Sequence, residues 1–268
     1  MSLEFSNTTD LAGQKVNIAP VFAAFHSAGF SAAHWCHDWI GEPVFYSADF
    51  TEQVRQLAEH NSLRVADVHG FGGTASTGIT CPDELFLALN INRAEFASRL
   101  GADIMVMHLP VRDVESPDIA VRDSIAILEA LRPVCRNLGV RLAVENRPRP
   151  SHTYAFFDAL FNEFDGDYLG FCYDSGHAIL TEQADLIVRH SRRLIATHLH
   201  DNDGSGDQHR LPGQGKADWP SIINAMKQAD YSGTVNLELH LPKDMALGKF
   251  CRQAYKTIER CWEQGSPT

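Results

Sequence analysis

Several features that would point to familiar classes of protein are missing from this sequence. Its 268 residues contain no apolar run of about 20 residues, the length that a membrane-spanning helix needs. The 6 cysteines stand without CxxC spacing, so neither a zinc ribbon nor a disulfide framework is indicated. No GxGxxG or GxxxxGK[ST] motif follows an apolar run, so the usual nucleotide-binding signatures are absent as well.

Basic charge is also scarce. The chain has 23 Lys and Arg against 34 Asp and Glu, which gives a net charge of −11. Phosphate contacts need a basic face, so this balance argues against nucleic acid as a partner. The first residues lack the basic and apolar regions of a signal peptide. With no secretion signal, the scattered cysteines predict reduced thiols and a cytoplasmic location.

What the sequence does have is a repeated alternation of short apolar runs and helical segments. Apolar runs without polar alternation are typical of buried parallel strands. Strands are predicted at 3–5, 32–35, 64–68, 104–107, 141–144, 168–172, 194–198 and 234–237. Helices are predicted at 20–28, 50–60, 82–100, 117–138, 154–164, 182–191, 219–229 and 245–263. This α/β alternation predicts a single (β/α)8 TIM barrel domain over residues 1–268. A doubly wound open sheet is the structural alternative.

Side chains that can bind metal follow the third to the eighth predicted strand. These residues are His69, His108, Glu145, Asp174, His200 and Glu238. Taken singly, a His or Glu at a strand end is usually a satisfied loop residue. Together they should converge, because the carboxyl ends of barrel strands form one face, where barrels have their active sites. Converging carboxylates repel unless a cation is present, and imidazole with carboxylate suits zinc, manganese, iron or cobalt. The sequence therefore predicts a divalent-metal site at this face.

Two further stretches should face the same end of the barrel. The loop after His200 carries Asp207 and His209, which either extend the metal site or belong to an ordinary Asp- and Gly-rich turn. The second strand brings His34 and Trp35, with Trp39 shortly after. Either tryptophan could stack on a sugar face while the histidine bonds hydroxyl groups. Aromatic packing under the rim is the alternative.

Five segments give the sequence a family resemblance. They are Leu-Ala-Val-Glu145-Asn, Cys-Tyr-Asp174-Ser-Gly-His177, His198-Leu-His200-Asp-Asn-Asp, Leu-Pro-Gly-Gln-Gly-Lys-Ala-Asp-Trp219 and Tyr231-Ser-Gly-Thr-Val-Asn-Leu-Glu238. With them the chain resembles the xylose isomerase-like TIM barrel superfamily. That superfamily includes sugar and sugar-phosphate isomerases and epimerases, and also the endonuclease IV group. The resemblance runs from about position 69 to position 238.

The resemblance implies two sets of metal ligands. In the isomerases and epimerases one metal is held by four residues, which correspond here to Glu145, Asp174, His200 and Glu238. The endonuclease IV group holds three metals with nine ligands. The additional positions correspond here to His69, His108, His177, Asp207 and His209. One zinc or manganese ion is therefore expected, with ligands for up to three.

The resemblance also implies an enzyme, namely an isomerase or epimerase of a sugar, sugar phosphate or keto-polyol. Glu145 and Glu238 would transfer protons through an enediolate, and His34, Trp35 and His177 would contact the small carbohydrate. The alternatives are a zinc-dependent phosphodiester hydrolase on abasic-site DNA, a keto-polyol dehydratase, and a barrel that only binds. Barrels of this superfamily are often homo-oligomers.

Overall fold

The computed structural model describes residues 3–13, 17–73, 84–109, 117–149 and 152–265, in which parallel strands alternate with helices. The strands are β1 Phe5–Asn7, β2 Ala32–Trp35, β3 Arg64–His69, β4 Ile104–Met107, β5 Arg141–Glu145, β6 Leu169–Asp174, β7 Leu194–His198 and β8 Val235–Leu237. The α-helices are α1 Ile18–Ala28, α2 Ala48–His60, α3 Glu84–Arg99, α4 Pro117–Leu138, α5 Tyr154–Glu163, α6 Ser175–Leu180, α7 Leu186–Arg189, α8 Trp219–Gln228 and α9 Leu247–Gln264.

The strands follow one another around a ring in chain order. Strands β2 to β7 form a parallel six-stranded sheet, and β1 pairs in parallel with β8. Isolated parallel bridges join the two sheets on both sides, between Thr8 and His34 and between Leu199 and Leu237. The result is a TIM-barrel-like α/β fold, which confirms the predicted fold class at this level.

The two faces of the strands pack very differently. Side chains alternate along a strand, so neighbours point to opposite faces. In β6, Phe171 and Tyr173 belong to the large apolar core between strands and helices, whereas Cys172 belongs to a small inner cluster. The other buried members of that inner cluster are Val106, Ala143 and Ala196. Small side chains inside the ring leave room for bulkier polar groups near its carboxyl end.

One predicted helix is wrong and one strand is displaced. Strand β1 begins two residues later than the predicted strand at 3–5. The helix predicted at 182–191 is replaced by α6 and α7. Helix α6 begins early because the Asp174 carboxylate accepts the backbone N–H of His177 at 2.6 Å, as an N-cap does. It ends before Glu182, whose φ of 56° lies in the left-handed region. The predicted start of the third helix, at 82, falls outside the described residues.

Two smaller findings concern membranes and cysteines. Among the helices that the structure describes, none combines the length and the apolar character needed to cross a membrane. The 5 cysteines in the described segments are buried and form no disulfide. Cys81 falls outside those segments.

Candidate metal centre

The six strand-end side chains that the sequence singles out lie at one end of the ring. His69, Glu145 and Asp174 are the last residues of β3, β5 and β6; His108 and Glu238 directly follow β4 and β8; His200 lies two residues beyond β7. All are buried except Glu238, whose side chain is 12% exposed. The strands thus bring imidazoles and carboxylates into a common, largely dry region.

Glu145 lies at the centre of this cluster. Its Oε1 is 3.0 Å from Nε2 of His108 and 3.0 Å from Nδ1 of His177. Its Oε2 is 3.0 Å from Nδ1 of His198, and Nε2 of His69 lies 3.8 Å away. Burial raises the pKa of Glu145, but the imidazoles facing it, those of His108 and His198 first, outweigh burial and hold it well below its usual range. Glu145 is therefore a carboxylate at neutral pH.

His108 is neutral beside this carboxylate. Burial lowers the pKa of His108 to about 3, although Glu145 opposes the shift. The His108 ring therefore acts on Glu145 as a dipole rather than as a cation. A neutral imidazole is also the form in which histidine binds metals.

Asp174 joins β6 to the helix that follows it. Besides capping α6, its carboxylate lies 3.1 Å from Nε2 of His200. Asn146 fixes the backbone of Asp174, since its side-chain amide donates to the carbonyl at 2.9 Å and its amide oxygen accepts the N–H at 2.8 Å. Burial lowers the pKa of His177 in α6, but Asp174 and the other nearby carboxylates raise it well above its ordinary value. This helix start therefore presents one carboxylate and one imidazole together.

The loop after β7 contributes the remaining predicted ligands. Asp207 Oδ2 lies 3.1 Å from Nε2 of His177 and 3.2 Å from Nε2 of His209. The His209 ring stacks on His200, with centroids 4.0 Å apart, and its Nδ1 donates to the Glu238 carbonyl at 2.8 Å. Burial lowers the pKa of His209, but Asp207 and Glu238 raise it overall to about 9. This loop therefore extends the cluster.

Asp201, which was not among the predicted site residues, organises that loop. Its buried carboxylate accepts from the backbone N–H groups of Gly213 at 2.9 Å and Ala217 at 3.0 Å. It also accepts the indole N–H of Trp219 at 3.0 Å, which ties the loop to the start of α8. In the sequence Asp201 is one of several acidic residues close together, and nothing there distinguishes this structural carboxylate from a ligand.

His198 is a second residue that the sequence reasoning missed. It ends β7 with a fully buried side chain, and its Nδ1 lies 3.0 Å from Glu145 Oε2 and 3.3 Å from Glu238 Oε2. A signal was available. His198 and His200 are two residues apart, so the alternation of a strand would turn both toward the same face.

The predicted carbohydrate contacts at the second strand need correction. Trp35 is not brought to the cluster, because it points outward from β2 into the core, where its indole N–H donates to Tyr46 at 3.1 Å. His34 does point inward, but its ring is fully buried and its Nδ1 is 2.8 Å from Asp67. Trp39 is the tryptophan at the mouth, with its ring 4.8 Å from His69 and 5.3 Å from His108.

An open cavity adjoins the cluster beside Trp39. Its volume is about 490 Å³, and its lining includes Trp39, Asp10, His240 and Lys243. His240 stacks on His209 with centroids 4.2 Å apart, so cavity and cluster share a wall. A small polar molecule that reached the imidazoles and carboxylates would therefore lie against this aromatic and polar surface.

The donor atoms fit a divalent metal ion. Four sets of three side chains bring nitrogen and oxygen donors within 4.8 Å of one another, and a metal could lie among them. They are His69 with His108 and Glu145, Glu145 with Asp174 and His177, His200 with His209 and Glu238, and Asp174 with His198 and Glu238; a fifth set adds the Cys172 sulfur to Glu145 and His198. Glu145 Oε2 and both ring nitrogens of His108 are buried without a hydrogen bond of acceptable geometry. Buried polar atoms left in this way are expected where an ion or a water molecule completes the site.

Fold and site together describe a TIM-barrel-like protein with a cluster of imidazoles and carboxylates at the mouth. The chain belongs to the xylose isomerase-like TIM barrel family, whose model matches residues 22–255. It is 35% identical over 246 residues to the uncharacterised protein y4fM of Sinorhizobium fredii, an alignment that covers 79% of this chain and 77% of that protein.

Solved structures share the fold at low sequence identity. A D-tagatose 3-epimerase-like protein has a TM-score of 0.78 at 16% identity, covering 98% of this chain and 99% of its own. D-allulose 3-epimerase from Methylomonas sp., in complex with D-allulose, has a TM-score of 0.71 at 18% identity, with 96% of both chains covered. A xylose isomerase domain protein from Alicyclobacillus acidocaldarius has a TM-score of 0.73 at 16% identity, covering 97% of this chain and 98% of that one.

Proposed function

We propose that the protein is a divalent-metal-dependent isomerase or epimerase of a small sugar, sugar phosphate or keto-polyol. The observation that carries the proposal is the pair of carboxylates, Glu145 and Glu238, that both contact His198 at the mouth of the ring. Their pKa values are lowered well below the usual range, since nearby imidazoles outweigh the effect of burial. The names of two structural relatives, a D-tagatose 3-epimerase-like protein and a D-allulose 3-epimerase, support this class.

Four residues would hold the metal: Glu145, Asp174, His200 and Glu238. Imidazole nitrogen with carboxylate oxygen suits zinc or manganese, and the donor sets that include His69, His108, His177 and His209, with Asp207 beside His177 and His209, would provide for up to three ions. When bound, such an ion supplies Lewis acidity, which polarises a carbonyl group and acidifies the C–H bond next to it.

The two glutamates carry the proton transfers. One carboxylate removes the proton from the carbon next to the carbonyl, which leaves an enediolate. The other, having taken up a proton, returns it to the opposite face of the same carbon, which completes an epimerisation. Return of the proton to the neighbouring carbon, with proton transfer between the two oxygens, completes an isomerisation. We assign the two faces to Glu145 and Glu238, which approach from separate strands of the ring.

Trp39 is the aromatic group that we assign to the substrate. It is half-buried at the mouth and lines the adjoining cavity, as a sugar-stacking ring would. Of the predicted sugar contacts, His177 lies within the metal-binding cluster, where its ring contacts Glu145 and Asp207. His34, bound to Asp67, would act from beneath the site. We further propose that residues 1–268 act as one barrel domain in the cytoplasm, as a homo-oligomer.

A phosphodiester hydrolase is the second candidate. Asp207 and His209 adjoin His177 and His200, so ligands for further metals are grouped as a three-metal site would require. The net charge of −11 argues against binding of duplex DNA, because a protein's affinity for DNA depends on neutralising the phosphates. A keto-polyol dehydratase would share the enediolate and the same residues, and would differ in the group that leaves.

The experiment is to load the protein with zinc or manganese and offer ketoses in D2O alongside abasic-site DNA. The expected result is deuterium incorporation next to the carbonyl, reduced by about 10²–10⁴-fold in Glu145→Gln. Glu163→Gln, an exposed position on α5, is the matched control and should leave the rate unchanged. Loss of water from the ketose would favour the dehydratase. DNA incision that His209→Ala abolishes, without deuterium exchange, would replace the proposal with the hydrolase.

A further inference from the structure

The His198 ring lies between Glu145 and Glu238, and His198 is not one of the predicted metal ligands. It is fully buried inside the ring of strands, at the end of β7. Its Nδ1 approaches an oxygen of Glu145 at 3.0 Å and an oxygen of Glu238 at 3.3 Å. Glu145 ends β5 and Glu238 follows β8, so a single nitrogen atom is in contact with carboxylates from strands that are not neighbours.

A second histidine, His34, packs against the His198 ring on the side away from the mouth. The His34 ring lies edge-on to His198, with centroids 4.7 Å apart and an interplanar angle of 64°. His34 is fixed in turn by Asp67, whose Oδ1 lies 2.8 Å from its Nδ1. All three side chains are buried, with His34 and His198 fully so. The His198 ring is therefore held in place by groups that do not touch the mouth.

We propose that His198 is a positioning residue that holds the carboxylates of Glu145 and Glu238 in place for metal binding and proton transfer. This inference rests on the proposed function. In a dry region two carboxylates repel each other, and an imidazole between them keeps both turned toward the site by electrostatic attraction, since His198 Nδ1 approaches them without hydrogen-bond geometry. Groups that hold metal-binding carboxylates in this way commonly change metal affinity by about 10–100-fold when they are removed.

Two substitutions separate the ring's nitrogen from its bulk. His198→Phe keeps an aromatic ring of similar size in contact with His34 but removes the polar atom that faces the carboxylates. His198→Asn has less bulk but keeps a side-chain N–H near the position of Nδ1. The matched control is His190→Phe. His190 is a buried histidine packed against Phe157, Phe161 and Phe171, outside the site.

The test measures Mn²⁺ affinity by calorimetry for the protein and the three variants. His198→Phe should weaken binding by about 10–100-fold, His198→Asn should recover most of this loss, and His190→Phe should bind as the unaltered protein does. If His198→Phe binds normally, or if His198→Asn is as weak as His198→Phe, the positioning role is wrong. Metal binding without any proton exchange in ketoses would contradict the proposed function, and only the role of His198 in metal binding would then stand.

Crystal structures of the metal-free protein and of His198→Phe provide a second measurement, which does not depend on metal binding. The expected difference is that at least one of the Glu145 and Glu238 carboxylates turns away from the mouth in the variant. Carboxylates that stay in the same positions in both structures would overturn the inference, even if the unaltered protein bound no Mn²⁺.

Discussion

The inner and outer faces of the ring differ in what their buried side chains do, and β2 contains both cases side by side. Its outward Trp35 packs against Phe50 and Phe96 with ring centroids 6.0 and 5.2 Å away, and its indole N–H has a partner. Its inward neighbour His34 is equally buried, yet its Nε2 has no hydrogen-bond partner. On β2 the outward side chain serves packing, whereas the inward side chain keeps a polar atom available.

This difference separates stability from chemistry. Apolar side chains on the outer face remove surface from water, which stabilises the fold. Buried polar atoms without partners cost free energy, so their presence on the inner face indicates a role other than stability. Substitutions on the inner face should therefore change the free energy of unfolding little but impair function. Substitutions on the outer face should lower the free energy of unfolding and affect function less.

The largest expected effect comes from the tryptophan on the outer face. Trp35→Ala removes a fully buried ring and should lower the free energy of unfolding by about 3–5 kcal/mol. Trp39→Ala, at the mouth, should change stability by less than about 1 kcal/mol but raise KM for the sugar about tenfold, which corresponds to about 1.4 kcal/mol. Denaturant unfolding and steady-state kinetics measure the pair. Equal losses of stability would contradict the assignment of faces.

A glycine on the inner side gives the next effect. A Cβ at Gly176 would lie 1.9 Å from Cε1 of His200, so Gly176→Ala must displace that ring from its position beside Asp174. We expect metal affinity to fall by about 100-fold, in the upper part of the range for altered metal-site geometry. Alanine is at the same time the better helix former, so α6 itself should not be weakened.

The control for this prediction is another glycine, in the loop that follows β7. A Cβ at Gly206 would meet no atom within 4 Å, so Gly206→Ala should bind metal as the unaltered protein does. Titration calorimetry with Zn²⁺ or Mn²⁺ compares the two variants. Unchanged affinity in Gly176→Ala would mean that His200 does not need this position to bind metal.

The smallest expected effect concerns protons. Asp207 and Glu238 outweigh burial and raise the pKa of His209 to about 9, so the ring is protonated at pH 7. Its charge stabilises the metal-free fold below the unfolded pKa of about 6.5, and this contribution is lost as the pH rises through about 9. A divalent ion beside it opposes protonation. Metal binding at pH 7 should therefore release a proton, and affinity should rise by up to about tenfold between pH 7 and pH 8.

Calorimetry in buffers of different ionisation enthalpy counts the protons released. The number should fall by about one in His209→Asn, because that side chain carries no titrating group. On the outer face, burial lowers the pKa of His190 instead, so His190→Phe should leave the count unchanged. A proton count that does not depend on His209 would contradict the assignment.

Alternation along the strands explains how much of this could be predicted. The buried runs ending at His69, Glu145 and Asp174 located those side chains at the mouth, because strand direction alone determines which end they reach. Trp35 and His198 required one further decision, namely which residues of a strand face inward. In β2 all four residues are buried, so no polar alternation shows which of them face inward, whereas in β7 the spacing of two residues between His198 and His200 was the available signal.

Loops and short helices were harder to predict. Helix α6 depends on the Asp174 carboxylate as its N-cap. Because Asp174 was interpreted as a metal ligand, its capping role was not predicted from the sequence. Asp201 binds backbone N–H groups far along the loop, a contact that depends on the folded path of the chain. Gly215 allows that path, since a Cβ there would lie 2.2 Å from the Asn202 carbonyl oxygen.

A divalent ion should bind among Glu145, Asp174, His200 and Glu238. Anomalous diffraction from crystals loaded with Zn²⁺, collected on both sides of the zinc absorption edge, tests this directly. We expect a peak at the mouth of the ring, with donor atoms from these four residues about 2.0–2.2 Å away. An anomalous map with no peak at the mouth, or with zinc bound only at other places on the protein, would contradict it.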